Sequence, residues 1–244
     1  MALHADLSQA NRLLAALPPQ DRGRLLAQCE LVEFKANSVL LVAGQAMTQA
    51  WFGVEGMVCQ ELLLDSDQRM EVGLVGHEGM FSTSLVLGAD CSGWTCRAQG
   101  TGRAFGIGRA QLQEQLAHCA PLRQVLYGYA DVCLRQLARQ AACLKHHSVA
   151  QRLARWLLMA RDRAHASELF LTHEALAQML SARRESVTHC ARRLQLSGLI
   201  SYSRGYMMLL DQAALAQAAC PCYHADLVTY ERWWRSVAHA PRPA

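Results

Sequence analysis

The 244-residue chain has little of what would place it in several common classes. No apolar run approaches the roughly 18 residues of a membrane span, so no membrane partner is expected. The opening MALHADLSQA lacks the basic start and apolar core of an export signal, which makes the cytoplasm the expected location. Internal repeats and low-complexity tracts are absent. Histidine is nearly missing from the middle of the chain: between Leu31 and Ile107 only His77 occurs, beside Glu78. A catalytic metal in a small barrel needs several converging ligands, so a metal enzyme is not expected, and His77 reads as an exposed turn residue. Ten cysteines without an export signal read as reduced thiols, not as a disulfide framework.

What is present is a 52% hydrophobic chain, enough for one large or two modest domains. The net charge of +4 is mild, but it is unevenly placed. From His147 to Tyr206 nine arginines face four acids, so this segment carries +5 and the remainder is near neutral.

Inside that basic segment, Ser181 to Ile200 (SARRESVTHCARRLQLSGLI) has helical periodicity. At about 100° per residue, Val187, Cys190, Ala191 and Leu194 share one face, and Arg184, Glu185, Thr188, His189 and Arg192 share the other. Arginine can fork onto guanine O6 and N7 and glutamate can accept from cytosine N4, so the outer face suits base edges in a G·C-containing half-site. The preceding LTHEALAQML reads as a supporting helix that Thr172 can cap, with Leu176, Ala177 and Leu180 inward. The short turn Ser181 to Arg183 gives helix-turn-helix spacing. Leu199–Tyr202, a turn at Ser203 to Gly205, and Tyr206–Leu210 read as a hairpin, hence a wing.

Upstream, Ala5 to Leu17 is predicted helical, with Leu13, Leu14 and Leu17 on one side. A second helix carrying Leu25, Leu26 and Cys29 follows Pro18 and Pro19. Short β-rich runs between glycines (Leu31–Phe34, Val39–Val42, Trp51–Val54, Met57–Leu64, Met70–Leu74 and Ala104–Ile107) predict a small antiparallel barrel or roll. Gln111 to Leu144 turns helical. Leu122, Leu126, Tyr129, Cys133 and Leu137 recur at steps of three or four there, widened by Ala130, Leu134, Ala138 and Ala141. Ser148 to Ala164 is a further helix with Val149, Leu153, Trp156, Leu157 and Ala160 inward, and Arg152 and Arg155 free to touch phosphate or solvent. Cys220, Cys222 and His224 in AACPCYH are the densest donor group. C-x-C lacks the usual C-x-x-C reach, so buried thiols are expected rather than a metal, with these three as secondary candidate ligands. Tyr223, Tyr230, Trp233 and Trp234 suggest a tail docked on the body, and Pro241 and Pro243 a frayed end.

The run RRESVTHCARRLQLSGLI, with THEALAQML before it and ISYSRGYMMLL after it, resembles the winged helix of the Crp/Fnr family of bacterial transcription regulators. The resemblance spans roughly Asn11 to Leu210. It implies an α+β chain: an antiparallel cyclic-nucleotide-binding-like β-roll with N-terminal helices (residues 1–120), a dimerisation helix and hinge (121–146) and a winged helix-turn-helix (147–220); the tail (221–244) lies beyond the resemblance. It also implies a homodimer on palindromic double-stranded DNA, paired through Leu122, Leu126, Tyr129, Cys133 and Leu137, with RNA polymerase as a partner if the protein is an activator. Two recognition helices related by a twofold axis read half-sites about one helical turn apart.

Arg184 and Glu185 match the family's base-reading pair, with Thr188 and His189 beside them, and His189 stands where arginine is common. Arg183 replaces a capping serine; the loss costs about 1 kcal/mol unless Ser181 caps the helix earlier. Thr172, His173, Arg183, Arg192, Arg193 and Arg204 are the phosphate candidates. In the roll, Thr83 and Ser84 stand where the family's phosphate cassette has Gly-Glu, and Cys91 where it has arginine; only Ser92 fits. Arg97 lies past the cassette and reads as surface exposed. The usual cyclic AMP contacts are therefore not expected, and the effector is left unknown. The iron–sulfur centre of the family's oxygen sensor is not expected either, since Cys29 is the first cysteine and stands alone. The competing reading is a signal-binding module that acts through protein partners, with the winged helix as scaffold.

Overall fold

The computed structural model describes residue 7 and residues 9–64, 69–164 and 168–238. Of the segment predicted helical from Ala5, the described part folds as α1 (Arg12–Ala15), and the prolines at 241 and 243 lie outside the described residues. Asn11 is fully buried and explains why the helix starts where it does. Its Oδ1 accepts from the Leu13 and Leu14 amides at 3.0 and 3.1 Å, capping α1. Its Nδ2 donates to the carbonyls of Gly53 and Gly79, both at 2.8 Å, pinning the helix to the roll. Helix α2 (Pro19–Leu26) begins on a proline at its first turn, where the missing N–H costs nothing. Cys29 falls beyond its end.

The roll is built from β1 (Glu30–Phe34), β2 (Val39–Leu41), β3 (Gln49–Glu55), β4 (Val58–Leu63), β5 (Arg69–Val75), β6 (Thr95–Ala98) and β7 (Gly102–Gly108). Their pairings are antiparallel, in the orders β1-β7-β3 and β2-β6-β4-β5. Strand β6, which carries Arg97, is the strand the family resemblance implies just past the cassette; its TCRA has only two apolar residues, and pairing with β4 and β2 outweighs that weak local pattern. Phe52, Phe81 and Phe105 fill the interior with Leu13, Leu14, Met47 and Ile107. A short helix, α3 (Thr83–Val86), occupies the cassette position. There the Thr83 hydroxyl donates to the Met80 carbonyl at 3.3 Å and the Ser92 hydroxyl to the Trp94 carbonyl at 2.5 Å. Arg97 is not a free surface residue: its Nε lies 3.2 Å from Glu61 Oε2.

The helical stretch expected from Gln111 is two helices, α4 (Arg109–His118) and α5 (Ala120–His146), broken at Cys119 by an extended residue two places before Pro121. The face of α5 assigned to dimer pairing requires correction. Leu122, Leu126 and Tyr129 are 1, 0 and 3% exposed because they pack into the chain's own roll, and Cys133 leans on the same core. The free side of α5 carries Tyr127 (51%), Leu134 (58%) and Leu137 (39%). Only Leu137 of the five proposed seam residues is on it.

Past the hinge run α6 (Val149–Ala164), β8 (Glu168–Phe170), α7 (His173–Met179), α8 (Arg184–Leu196), β9 (Ile200–Ser203), β10 (Tyr206–Leu209), α9 (Gln212–Ala218) and α10 (Cys222–Ala238). The wing is a three-stranded sheet, β8-β10-β9. Strand β8, just three residues long, has no period of its own to give it away. The predicted aromatic tail is α10, docked against α5. Tyr230 is buried, Trp233 and Trp234 are half-buried, and Gly128 leaves the room that the Trp233 indole occupies, since a Cβ there would collide with its nitrogen. The Arg12 guanidinium sits over the rings of Tyr230 and Trp234, 5.1 and 4.7 Å from their centroids.

Roll and C-terminal half share one apolar cluster, in which Met57, Cys59 and Leu74 of the roll meet Trp156, Leu157 and Ala160 of α6. Polar bonds reinforce it. The Trp156 indole donates to both Glu71 carboxylate oxygens, at 2.8 and 3.0 Å. Arg163 Nε reaches the Leu74 carbonyl at 2.5 Å and Glu78 Oε1 at 3.2 Å. His77 is no exposed turn residue: it is half-buried at this contact, with Nδ1 3.1 Å from the Arg163 carbonyl.

Candidate nucleic-acid interface

Helix α8 is held by its inner face. Val187, Ala191 and Leu194 are buried against α6 and the wing, with Cys190 partly covered. Arg184, Glu185, Thr188, His189 and Arg192 stand exposed, as their spacing predicts, and Arg193 is exposed as well. The helix ends in a Schellman turn: Gly198 takes φ +69°, the Leu199 amide donates to the Leu194 carbonyl at 3.0 Å and the Gly198 amide to Gln195 at 3.0 Å. That closure aims the chain directly into the wing. The wing's tip is a two-residue turn, Arg204 (φ +50°) and Gly205 (φ +88°), between the paired Ser203 and Tyr206. Positive φ at both positions is the turn that matches strand twist, and it leaves the Arg204 side chain exposed.

The entry to α8 differs from expectation. Arg183 is the N-cap residue and makes no side-chain cap, and Ser181 does not replace it. Ser181 instead adopts φ +46° in the turn, its amide donating to the Gln178 carbonyl at 3.1 Å. The first amides of α8 therefore lack a side-chain acceptor, and Arg183 itself is exposed.

Thr172 caps α7 as predicted, accepting from the Ala175 amide at 3.1 Å. His173 is drawn inward. Its ring stacks on Tyr202, with centroids 4.4 Å apart, and Nδ1 lies 3.0 Å from the Thr188 hydroxyl. Burial, then the nearby Arg184 charge, lowers its pKa, which favours the neutral ring. Thr188 is thus oriented by a neighbour, and His173 joins α7, α8 and the wing. Arg184 approaches Glu174 at 3.9 Å, with both side chains more than half exposed, a contact of little energy in water.

Two arginines of α6 offered for phosphate contact have other roles. Arg155 is 4% exposed and donates to Asp226 Oδ2 and Gln140 Oε1, both at 2.7 Å. Arg152 donates to the Leu180 carbonyl at 2.6 Å, closing the end of α7. Of the candidate metal donors, Cys220 and Cys222 are buried close together, whereas His224 is exposed and apart from them. No sequence signal tied them to their true neighbours, Cys143 and His147, far upstream.

Between roll and reader lies an open polar cleft of about 200 Å³, bordered by Glu61, Arg69, Glu71, Arg97, Gln178 and Met179. Among the described residues no helix is long and apolar enough to cross a membrane.

Comparison with known proteins gives this geometry a context. Residues 151–218 match the Crp-like helix-turn-helix domain, the segment that holds α6 to α9. The global nitrogen regulator of Synechococcus elongatus is 23% identical over 220 residues, covering 86% of this chain and 98% of that protein. A CRP/FNR-family transcriptional regulator of Thermus thermophilus is 25% identical, with a TM-score of 0.60 over 78% of this chain and 98% of its own. FixK2 from Bradyrhizobium japonicum shares the fold at 15% identity, with a TM-score of 0.67 over 79% of this chain and 98% of its own. Residues 151–218 are thus a Crp-like helix-turn-helix domain near the C-terminal end, and the roll, the long helix and the reader together share the fold of Crp/Fnr-type transcription regulators.

Proposed function

We propose that the protein is a homodimer that reads a palindromic site through α8, with Arg184, Glu185, Thr188 and His189 at base edges. Arg183, Arg192, Arg193 and Arg204 bind phosphate around them, and Thr172 and His173 approach the same strand from the start of α7. The observation that carries this reading is the division of α8 into a buried apolar face and an exposed face of base-competent side chains.

Pairing is assigned to the outer side of α5, where Tyr127, Leu134 and Leu137 leave an apolar stripe uncovered on a single chain. The controlling signal acts on the roll. The contact of β5 with α6, through Glu71–Trp156 and Arg163, is the element it shifts, biasing an equilibrium between DNA-competent and incompetent arrangements. The cytoplasm is the site of action and RNA polymerase the partner if transcription is activated.

Selection of bound sequences from a random duplex pool tests the reading. The expected result is a twofold-symmetric motif with G·C pairs in each half, bound more weakly as salt rises. A bound pool with no shared motif, together with activity that survives loss of Arg184 and Glu185, would favour the protein-partner scaffold instead.

A further inference from the structure

Cys143 and His147 are four residues apart, in the last turn of α5 and at its C-cap, so their side chains project from one side of the helix end. Cys220 and Cys222 flank Pro221 in the turn from α9 to α10. The fold brings the two pairs together. Cys143 Sγ lies 3.5 Å from Cys220 Sγ, and Cys222 Sγ lies 3.6 Å from His147 Nδ1. All four donor atoms fall within 4.8 Å of one another, the three thiols buried and the imidazole partly so.

From these positions we infer that Cys143, His147, Cys220 and Cys222 are the four ligands of a single structural zinc ion. Cys₃His is an established donor set for closed tetrahedral zinc, and Zn–S bonds of about 2.3 Å place sulfurs about 3.8 Å apart, close to the spacing found here. The span has room for one ion and not for a polynuclear iron–sulfur cluster. The Cys143–Cys220 separation also exceeds a disulfide bond, which is about 2.05 Å. On zinc entry each ligating thiol passes its proton to solvent as its Zn–S bond forms, and His147 binds as the neutral ring.

The local C-x-C alone cannot surround an ion, and the missing reach comes from a pair whose cysteine lies 77 residues upstream of Cys220. The ion ties the start of α10 to the joint where α5 passes into α6. That joint links the long helix to the reader.

Elemental analysis of protein purified without chelator is expected to find one zinc per chain. Cys143→Ser and Cys220→Ser each lower retention at least tenfold, whereas His224→Ala, outside the cluster, keeps it. Cobalt(II) titrated into stripped wild-type protein is expected to give the intense visible bands of a tetrahedral site and a thiolate-to-metal charge-transfer band at one equivalent. The wild-type titration decides even if the serine variants misfold. Stripped protein that takes up no cobalt, or purified protein carrying a Cys143–Cys220 disulfide and no zinc, overturns the site.

Discussion

Helices α6 and α8 are both rich in arginine, and both lie in the basic segment that the charge count singles out, yet they use the residue in opposite ways. On α8, Arg184, Arg192 and Arg193 project into solvent. On α6, Arg155 and Arg163 are buried and Arg152 is half-covered, each bonded to a carbonyl or carboxylate of another element. Arg155 with Arg139 holds Asp226, so α5, α6 and α10 meet on one carboxylate. The lesson is that the +5 of the segment overstates what faces DNA. Part of it is internal cement, and the arginines most open to solvent sit at and on α8 and on the wing.

Arg155→Ala is the substitution that separates the two uses most sharply. It strands Asp226 in a buried site with one cation fewer, and breaking such a pair costs about 3–5 kcal/mol. Chemical denaturation should show that loss, and an effect under about 1 kcal/mol, the worth of an exposed pair, would mean that Arg155 is no more internal than Arg184. A smaller effect comes from Glu71 beneath α6. Burial raises its carboxyl to about 7, against the lowering pull of hydrogen bonds from Trp156 and Cys59 and the charges of Arg163 and Arg155. The folded state therefore holds a proton that the unfolded chain releases near 4.5. This contribution is full below that value and is lost as pH climbs to about 7, roughly 3 kcal/mol in all. Glu71→Gln should flatten that part of the stability–pH curve; an unchanged slope would assign it to another group.

The solvent-facing arginine predicts the reverse pattern. Arg184→Ala and Glu185→Ala should each cost about 1–3 kcal/mol of preference for the cognate base pair while leaving the denaturation midpoint in place. Comparing binding to the selected site and to single-base variants of it checks both halves. Loss of stability without loss of preference would move Arg184 to the α6 class.

How far these roles were legible in the sequence follows the same division. On α8 a single helix with one neighbouring layer needs only the 100° period, so Val187, Ala191 and Leu194 inside and Arg184, Glu185 and His189 outside could be read directly. The wing was legible for a local reason too, since Arg204-Gly205 must turn. The α5 face was not. It is apolar on two sides, and the period cannot tell that Leu122 and Leu126 meet the roll while Tyr127 and Leu134 stay open. Arg155, His77 and the Cys143–Cys220 neighbourhood depend on partners 15 to 86 residues away, fixed only by how roll, hinge and tail dock. Nothing in local spacing encodes that.

The smallest effect gives the finest test of where the usable charge ends. Arg193 and Arg204 are exposed, one at the back of α8 and one at the wing tip, and a phosphate contact supplies attraction without sequence information. Arg193→Gln or Arg204→Gln should therefore weaken cognate and random duplex by the same factor, and each should lower the slope of log affinity against log salt by about one. Arg152→Gln, on α6, should leave that slope alone, because its guanidinium is committed to the Leu180 carbonyl. If Arg152 changes the slope as Arg204 does, its bond to α7 opens on DNA and the boundary between cement and contact lies inside α6, not at the start of α8.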